Sequence, residues 1–545
     1  MITNTYFKPI NIFSFCLTTF LLICTSCAQN RDGYDEASIL EKQQSHENSR
    51  MQFKLIQSQL QSQEEIFHSV AKDIQSMTEE SYKRLSAMVI ENDMAGLRQL
   101  VEDEAMTFEE LTLFYLYRMY KYETDPRKAV YTIISIHPHA LPEARLRDSI
   151  FTTVEEKSNL HPLFGMPILL KDNINTDGIS TTAGAAILQY NQPPDAELVS
   201  HLKANGAIIL GKTNLSEWAY YFCSGCPLGY SAVGGQTLNP FGRLVFETGG
   251  SSSGSGVAAT LNYAAGTIGT ETSGSILSPS SQNSIVGLKP TVGQISQEGI
   301  VPISKTLDTA GPMCKTVCDT WVLYHGMKGS NQYEPCPKPL DLSTVTIGIP
   351  ISLLEDSLFT ANIDVLKNHG AQLIVFEPDS TQLDGFVTLL NQEMKTELPK
   401  YMEDYGQQDD LRSITIADVI AYNLQDSIVR SPYGQGIFEG IVKENVTESE
   451  LNEVRERLMS SSTQYFERPE KTFGLDVIIS INNYHAGFAA LAHRPCLTIP
   501  MGFKSNGEPA NITLIGQTNQ DESLFPIGRA IEGILKGRHV PKAYP

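Results

Sequence analysis

Two glycine- and serine-rich loops hold the groups in this chain best suited to chemistry. The first is Gly249-Gly250-Ser251-Ser252-Ser253-Gly254-Ser255-Gly256, and the second is Gly269-Thr270-Glu271-Thr272-Ser273-Gly274-Ser275-Ile276. They bracket the alanine-rich stretch Val257 to Ala265, whose apolar character predicts a buried helix. Flexible linkers do not usually enclose an apolar helix. Small residues let backbone N–H groups come close to a ligand, which is how an oxyanion site is built. A serine in such a loop is a candidate nucleophile when a base lies within reach.

Two other motifs compete with this reading. Gly206-Ala207-Ile208-Ile209-Leu210-Gly211-Lys212-Thr213 fits the phosphate-loop pattern G-x4-G-K-[ST]. That loop needs a strand before its first glycine and flexible backbone within it. Here a helical stretch, Leu198 to Ala204, precedes Gly206, and the intervening residues are apolar and strand-like, so the phosphate-loop reading is rejected. Gly250-Ser251-Ser252-Ser253-Gly254 fits the nucleophile elbow G-x-S-x-G with Ser252 at its centre. His485, His493 and His539 supply the late histidine an elbow needs, but Phe246-Glu247-Thr248-Gly249 is a poor strand to lead into one.

These loops need a scaffold, and the pattern predicts an α/β one. Ala207 to Leu210 and Val477 to Ile479 read as buried strands, while Glu197 to Asn205 and Ser449 to Phe466 read as helices. Such alternation implies a sheet covered by helices on both faces. At roughly 150 residues per domain, 545 residues would suggest three or four domains. No repeat or clean linker follows about residue 79, however, so one large domain over 79–545 fits better. Residues 27–78, rich in Gln, Glu and Ser, read as a polar tether or an amphipathic helix. With 41 Lys+Arg against 62 Asp+Glu the net charge is −21, which argues against a broad nucleic-acid surface.

Residues 1–26 read as a leader, with Lys8 ahead of the apolar stretch Ile10 to Ile23. Cys24-Thr25-Ser26-Cys27-Ala28 resembles a bacterial lipobox, in which Cys27 becomes the lipidated first residue. The position three before that cysteine is usually Leu and here is Cys24. Plain secretory cleavage nearby is the alternative. The expectation is an exported, cell-envelope protein with a lipid anchor, periplasmic or on the outer membrane. Six cysteines then remain: Cys223, Cys226, Cys314, Cys318, Cys336 and Cys496. Their spacing suits buried or disulfide-bonded cysteines better than zinc, and the sequence leaves their pairing open.

The two loops, together with Gly165-Met166-Pro167-Ile168-Leu169-Leu170-Lys171-Asp172-Asn173, resemble the amidase signature family of serine hydrolases. The resemblance continues through Thr181-Thr182-Ala183-Gly184, Gly211-Lys212-Thr213-Asn214, Asp308-Thr309-Ala310-Gly311-Pro312-Met313 and Leu497-Thr498-Ile499-Pro500-Met501-Gly502. It implies a single α/β domain with a mixed central sheet. It also implies Ser275 as nucleophile, Ser251 after a cis peptide bond as proton carrier, and Lys171 as base, with an acyl-enzyme intermediate. The backbone N–H groups of Thr272, Ser273, Gly274 and Ser275 would then form the oxyanion hole. Lysine is a base only when neutral, and the apolar run 167–170 suits the burial that would lower its pKa. The chemistry requires neither metal nor organic cofactor.

Within the family the pattern is most similar to bacterial peptide amidases, which act on C-terminal carboxamides. Ser216-Glu217-Trp218, Gly234-Gly235-Gln236-Thr237 and a helical insert, Ile416 to Asn423, carry that likeness. The resemblance makes Tyr422, Asn423 and Tyr484 candidates for binding a small-molecule or peptide amide, with His485 a structural histidine. The alternatives are a glutamine-hydrolysing subunit of a tRNA amidotransferase, against which the leader and the acidity weigh, and a non-catalytic surface lipoprotein. Two positions depart from the family pattern: Leu277, where Arg is common, and Ser273, where Gly is common. The oligomeric state is not encoded legibly.

Overall fold

The computed structural model describes residues 34–329 and 335–545. The expected leader and Cys27 lie outside the described residues. Thirteen strands follow in chain order: β1 Ile133–Ile136, β2 Pro167–Lys171, β3 Ile208–Thr213, β4 Tyr230–Ser231, β5 Gly235–Gln236, β6 Gly266–Glu271, β7 Val286–Lys289, β8 Thr309–Cys314, β9 Thr346–Pro350, β10 Gln372–Phe376, β11 Val477–Ile481, β12 Cys496–Phe503 and β13 Pro509–Ile515. β4 and β5 form a small hairpin, and the other eleven form one sheet in the order β1-β3-β2-β6-β8-β7-β12-β13-β11-β9-β10.

The sheet is mixed, as expected. β2 runs parallel to both β3 and β6, whereas β8 runs antiparallel to β6 and β7. Its central strands β2, β3 and β6 are buried along their whole length; β2 and the start of β3 are apolar, whereas β6 is built mostly from small and polar residues. Alternation along β12 shows how both faces are covered. The Thr498 hydroxyl meets that of Ser281 in the helix Leu277–Gln282 at 3.3 Å. Leu497 and Ile499 point the other way and crowd Gly528 in the helix Leu524–Leu535.

The alanine-rich helix differs from expectation at both ends. It spans Ser253–Thr260, so its first turn is made from the serines and glycines themselves. All eight residues are buried, and small side chains are what that close packing admits. The expected tether or amphipathic helix is, over residues 34–78, a series of short helices and extended links laid on the domain. Phe53, Ile56, Ile66, Phe67 and Ile74 enter the main core there. Gln236 N–H donates to the Ile56 carbonyl at 2.8 Å. Burial of those large apolar groups holds the segment down.

The helix expected over Ser449 to Phe466 runs longer, Glu448–Phe473, with Pro469 inside it. Cys223 pairs with Cys226 and Cys318 with Cys336, while Cys314 and Cys496 are buried thiols. Cys318 is therefore bonded across 18 positions rather than grouped with Cys314. Among the described residues, no helix is long and apolar enough to cross a membrane.

Candidate active site

Lys171 is the last residue of β2 and is 0% exposed. Its Nζ lies 2.8 Å from Ser251 Oγ, 2.8 Å from Thr270 Oγ1 and 3.2 Å from the Thr270 carbonyl. Burial lowers its pKa from 10.5 to about 7, against the opposing pull of the Asp308 and Glu271 carboxylates. A neutral amine has two N–H donors and one lone pair. The two oxygens of Thr270 can take both donors, which leaves the lone pair facing the Ser251 hydroxyl. Asn173 Nδ2 donates to Thr270 Oγ1 at 3.0 Å and braces it from the other side.

Ser251 follows a cis peptide bond from Gly250, as the family resemblance implied. Its carbonyl accepts from Ser216 N–H at 3.0 Å. The next residue joins the two loops: Ser252 N–H donates to the Ser275 carbonyl at 3.1 Å. The Ser252 hydroxyl is fully engaged with strand β6, donating to the Thr270 carbonyl at 3.0 Å and accepting Thr270 N–H at 3.2 Å. No strand leads into it, and among the described residues no histidine bonds it. The elbow reading therefore fails on geometry.

After β6 the chain turns sharply through 272–276, with Gly274 at φ +87°. The Glu271 carboxylate closes this turn by accepting the N–H groups of Ile276 at 2.7 Å and Leu277 at 3.0 Å. The N–H groups of Thr272, Ser273, Gly274 and Ser275 precede that closure and carry no such carboxylate. Ser275 is partly exposed, whereas Lys171, Ser251 and Ser252 are buried, so it is the serine a substrate can reach. Thr272 Oγ1 donates to Asp308 Oδ1 at 2.5 Å. Burial pushes the Asp308 carboxyl up to about 6, although hydrogen bonds from Thr272, Ser304 and Ile303 oppose the shift.

A cavity of about 280 Å³ opens beside this centre. Asn173, Thr270, Thr272 and Asp308 line it on the catalytic side, and Ala219, Tyr401 and Tyr405 on others. Tyr422 and Asn423 are not among its lining residues. Asn423 is buried and donates to Gln435 at 3.0 Å, and Tyr422 lies under the Arg430 guanidinium at 3.7 Å. Both hold the helical insert together instead. Tyr484 is 61% exposed and also does not line the cavity. Its neighbour Asn483 faces the 272–276 turn, since a Cβ on Gly274 would sit 3.0 Å from Asn483 Nδ2. His485 accepts or donates at 2.6 Å to the Ser480 hydroxyl and stays in a structural role.

Sequence reasoning missed Thr270, Asn173 and Asp308 as parts of the site. All three sit inside the quoted motifs, so the motifs were the available signal. Lys212, the lysine of the rejected phosphate loop, is buried on β3 beside Asp172 at 3.4 Å. It also donates to Thr181 Oγ1 at 3.0 Å and so ties two of those motifs together.

A sequence profile of the Amidase family matches residues 110–481. A probable amidase of Arabidopsis thaliana is 32% identical over 503 residues, covering 86% of this chain and 95% of its own. An amidase family protein of Bacillus anthracis superposes with a TM-score of 0.83 at 30% identity, covering 89% of this chain and 99% of its own. The peptide amidase of Stenotrophomonas maltophilia superposes with a TM-score of 0.76 at 31% identity, over 83% of this chain and 98% of its own. The chain belongs to the amidase family. It is an enzyme that hydrolyses amide C–N bonds.

Proposed function

We propose that the protein hydrolyses primary carboxamides, including peptide C-terminal amides, through a Ser–Ser–Lys relay. The observation that carries this reading is the 2.8 Å approach of Lys171 Nζ to Ser251 Oγ, in a loop bonded to the Ser275 loop. Ser275 Oγ attacks the carbonyl carbon as its proton passes by way of Ser251 to Lys171. The tetrahedral oxyanion is held by N–H groups from 272–275. The proton returns by the same path to the departing nitrogen, which leaves as ammonia. Water then attacks the acyl-enzyme under the same base and releases the carboxylate.

The peptide-amide assignment is supported by the likeness to a peptide amidase across most of both chains. Export to the cell envelope on a Cys27 lipid anchor belongs to the same proposal. It is supported by the leader and by two disulfides, which suit an oxidising compartment. The test is a panel of peptide amides, free amino-acid amides, fatty amides and glutamine, run with the wild type and Ser275→Ala. Preference for glutamine would overturn the substrate assignment. A fluorophosphonate that failed to label Ser275 would overturn the nucleophile.

A further inference from the structure

Glu393, on the helix Phe386–Tyr405, is 2% exposed and carries a full set of partners. Its Oε1 accepts Arg455 Nη2 at 2.8 Å, Arg455 Nε at 3.2 Å and the Thr306 hydroxyl at 2.5 Å. Its Oε2 accepts the Thr306 N–H at 3.2 Å and the Ser304 hydroxyl. Arg455 belongs to the helix Glu448–Phe473, so this one carboxylate ties two helices to the 303–308 loop. A charge buried so deeply persists only when paired and saturated, as it is here.

The same loop is held from its other side. Asp308 Oδ2 accepts the N–H groups of Ile303 at 2.8 Å and Ser304 at 2.9 Å, while Oδ1 takes the Thr272 hydroxyl. A continuous chain of charge-assisted bonds therefore runs Arg455–Glu393–Ser304–Asp308–Thr272. Thr272 opens the turn that carries Ser275. The helix bearing Glu393 also supplies Tyr401 and Tyr405 to the lining of the cavity, to which the loop contributes Ile303, Lys305 and Asp308. The bracket thus joins two elements that both line this cavity.

We propose that Glu393 is a positioning residue for amide hydrolysis: with Arg455 it fixes the 303–308 loop and, through Asp308, the place of Thr272 in the nucleophile turn. This rests on reading 272–275 as the oxyanion loop. A double-mutant cycle on kcat tests it, using the amide the enzyme turns over best. Glu393→Gln keeps the side-chain shape, and Thr272→Val cuts the bond to Asp308. Each should lower kcat about 10- to 100-fold with KM little changed, because a misplaced oxyanion site is felt mainly in the transition state. The double variant should be no slower than the worse single variant.

Losses that multiply in the double variant would overturn the proposal. So would a Glu393→Gln enzyme that melts earlier but turns over normally. Thr306→Val removes one arm without stranding a charge and should shift kcat in the same direction. If Glu393→Gln does not fold, an unchanged kcat in Thr306→Val overturns the proposal by itself. Retained turnover in Ser275→Ala would mark a different failure, that of the Ser275-nucleophile reading on which the role of the 272–275 turn rests.

Discussion

Lys171 Nζ stands 2.8 Å from Ser251 Oγ with neither side chain open to solvent. In the proposed relay this amine is the terminus of the proton path, and of Lys171, Ser251 and Ser275 only Ser275 is partly exposed. A buried lysine without a partnering carboxylate at hydrogen-bond distance is costly to charge. That cost lowers its pKa to about 7, which suits the base the proposed relay requires.

The rate should follow the protonation of this amine. With a pKa of about 7 in the folded enzyme, Lys171 is protonated at pH 6 and neutral at pH 8. kcat/KM should therefore rise through about pH 7 and level off above it. A pH–rate profile flat from 6 to 9, with chemistry rate-limiting, would rule out a titrating lysine. Lys171→Ala should lower kcat by about 10² to 10⁴.

Ser275 and Ser252, joined by a backbone hydrogen bond, should separate function from structure. Ser275→Ala should abolish turnover and leave the melting temperature near that of the wild type. Ser252→Ala leaves the Thr270 backbone short of partners in a buried strand, at a cost of about 1–3 kcal/mol. It should melt earlier while keeping most of its activity. Thermal melts and amide turnover on the two variants check both outcomes.

Glu217 gives a stability prediction with a definite sign. Its carboxyl is buried and accepts a single N–H, from Ala232 at 2.8 Å, and burial pushes its pKa up to about 8. In the unfolded chain it ionises near 4.5. Between those values the unfolded state has released a proton that the folded state keeps. This group's contribution therefore falls as pH rises from about 4.5 to 8. Glu217→Gln cannot ionise and keeps an acceptor for Ala232. It should gain stability over the wild type at pH 8 relative to pH 5, on the order of 2–4 kcal/mol. Equal differences at both pH values, read from denaturant melts, would sink this.

The Cys318–Cys336 bond closes a loop of 18 positions. Replacing both with serine should cost about 3 kcal/mol by loop entropy. Turnover at low temperature should persist, since neither cysteine touches the site. A mass shift on reduction, with the melting temperature measured before and after, checks it.

The groups of the proposed relay are legible in the sequence because backbone chemistry constrains their surroundings locally. A turn that must expose N–H groups needs glycine at a positive φ, and Gly274 shows that requirement in the sequence. The candidates for substrate contact were less legible. Tyr422 and Asn423 lie in a helical insert whose Ile416 and Val419 join a cluster with Phe438 and with Trp218 and Phe222, the last two far earlier in the chain. The packing of the 34–78 segment is not legible for a related reason: its sparse apolar residues, Phe53, Ile56, Ile66 and Ile74 among them, show their role only when a surface receives them.

By itself, the sequence determined the reaction class and the α/β architecture, and it singled out Lys171, Ser251 and Ser275 as the groups of the proposed relay, because each is carried by contiguous residues whose types suffice. Only the tertiary structure decided which groups surround them. Thr270 holds the amine by two oxygens, Ser252 is a structural serine, and Asp308 links the oxyanion loop to Glu393 from 85 positions later in the chain (393 − 308). The physical reason is that hydrogen-bond partners and burial are properties of atoms brought together in space. They set the basicity of Lys171 and the shape of the cavity, and no local pattern encodes them.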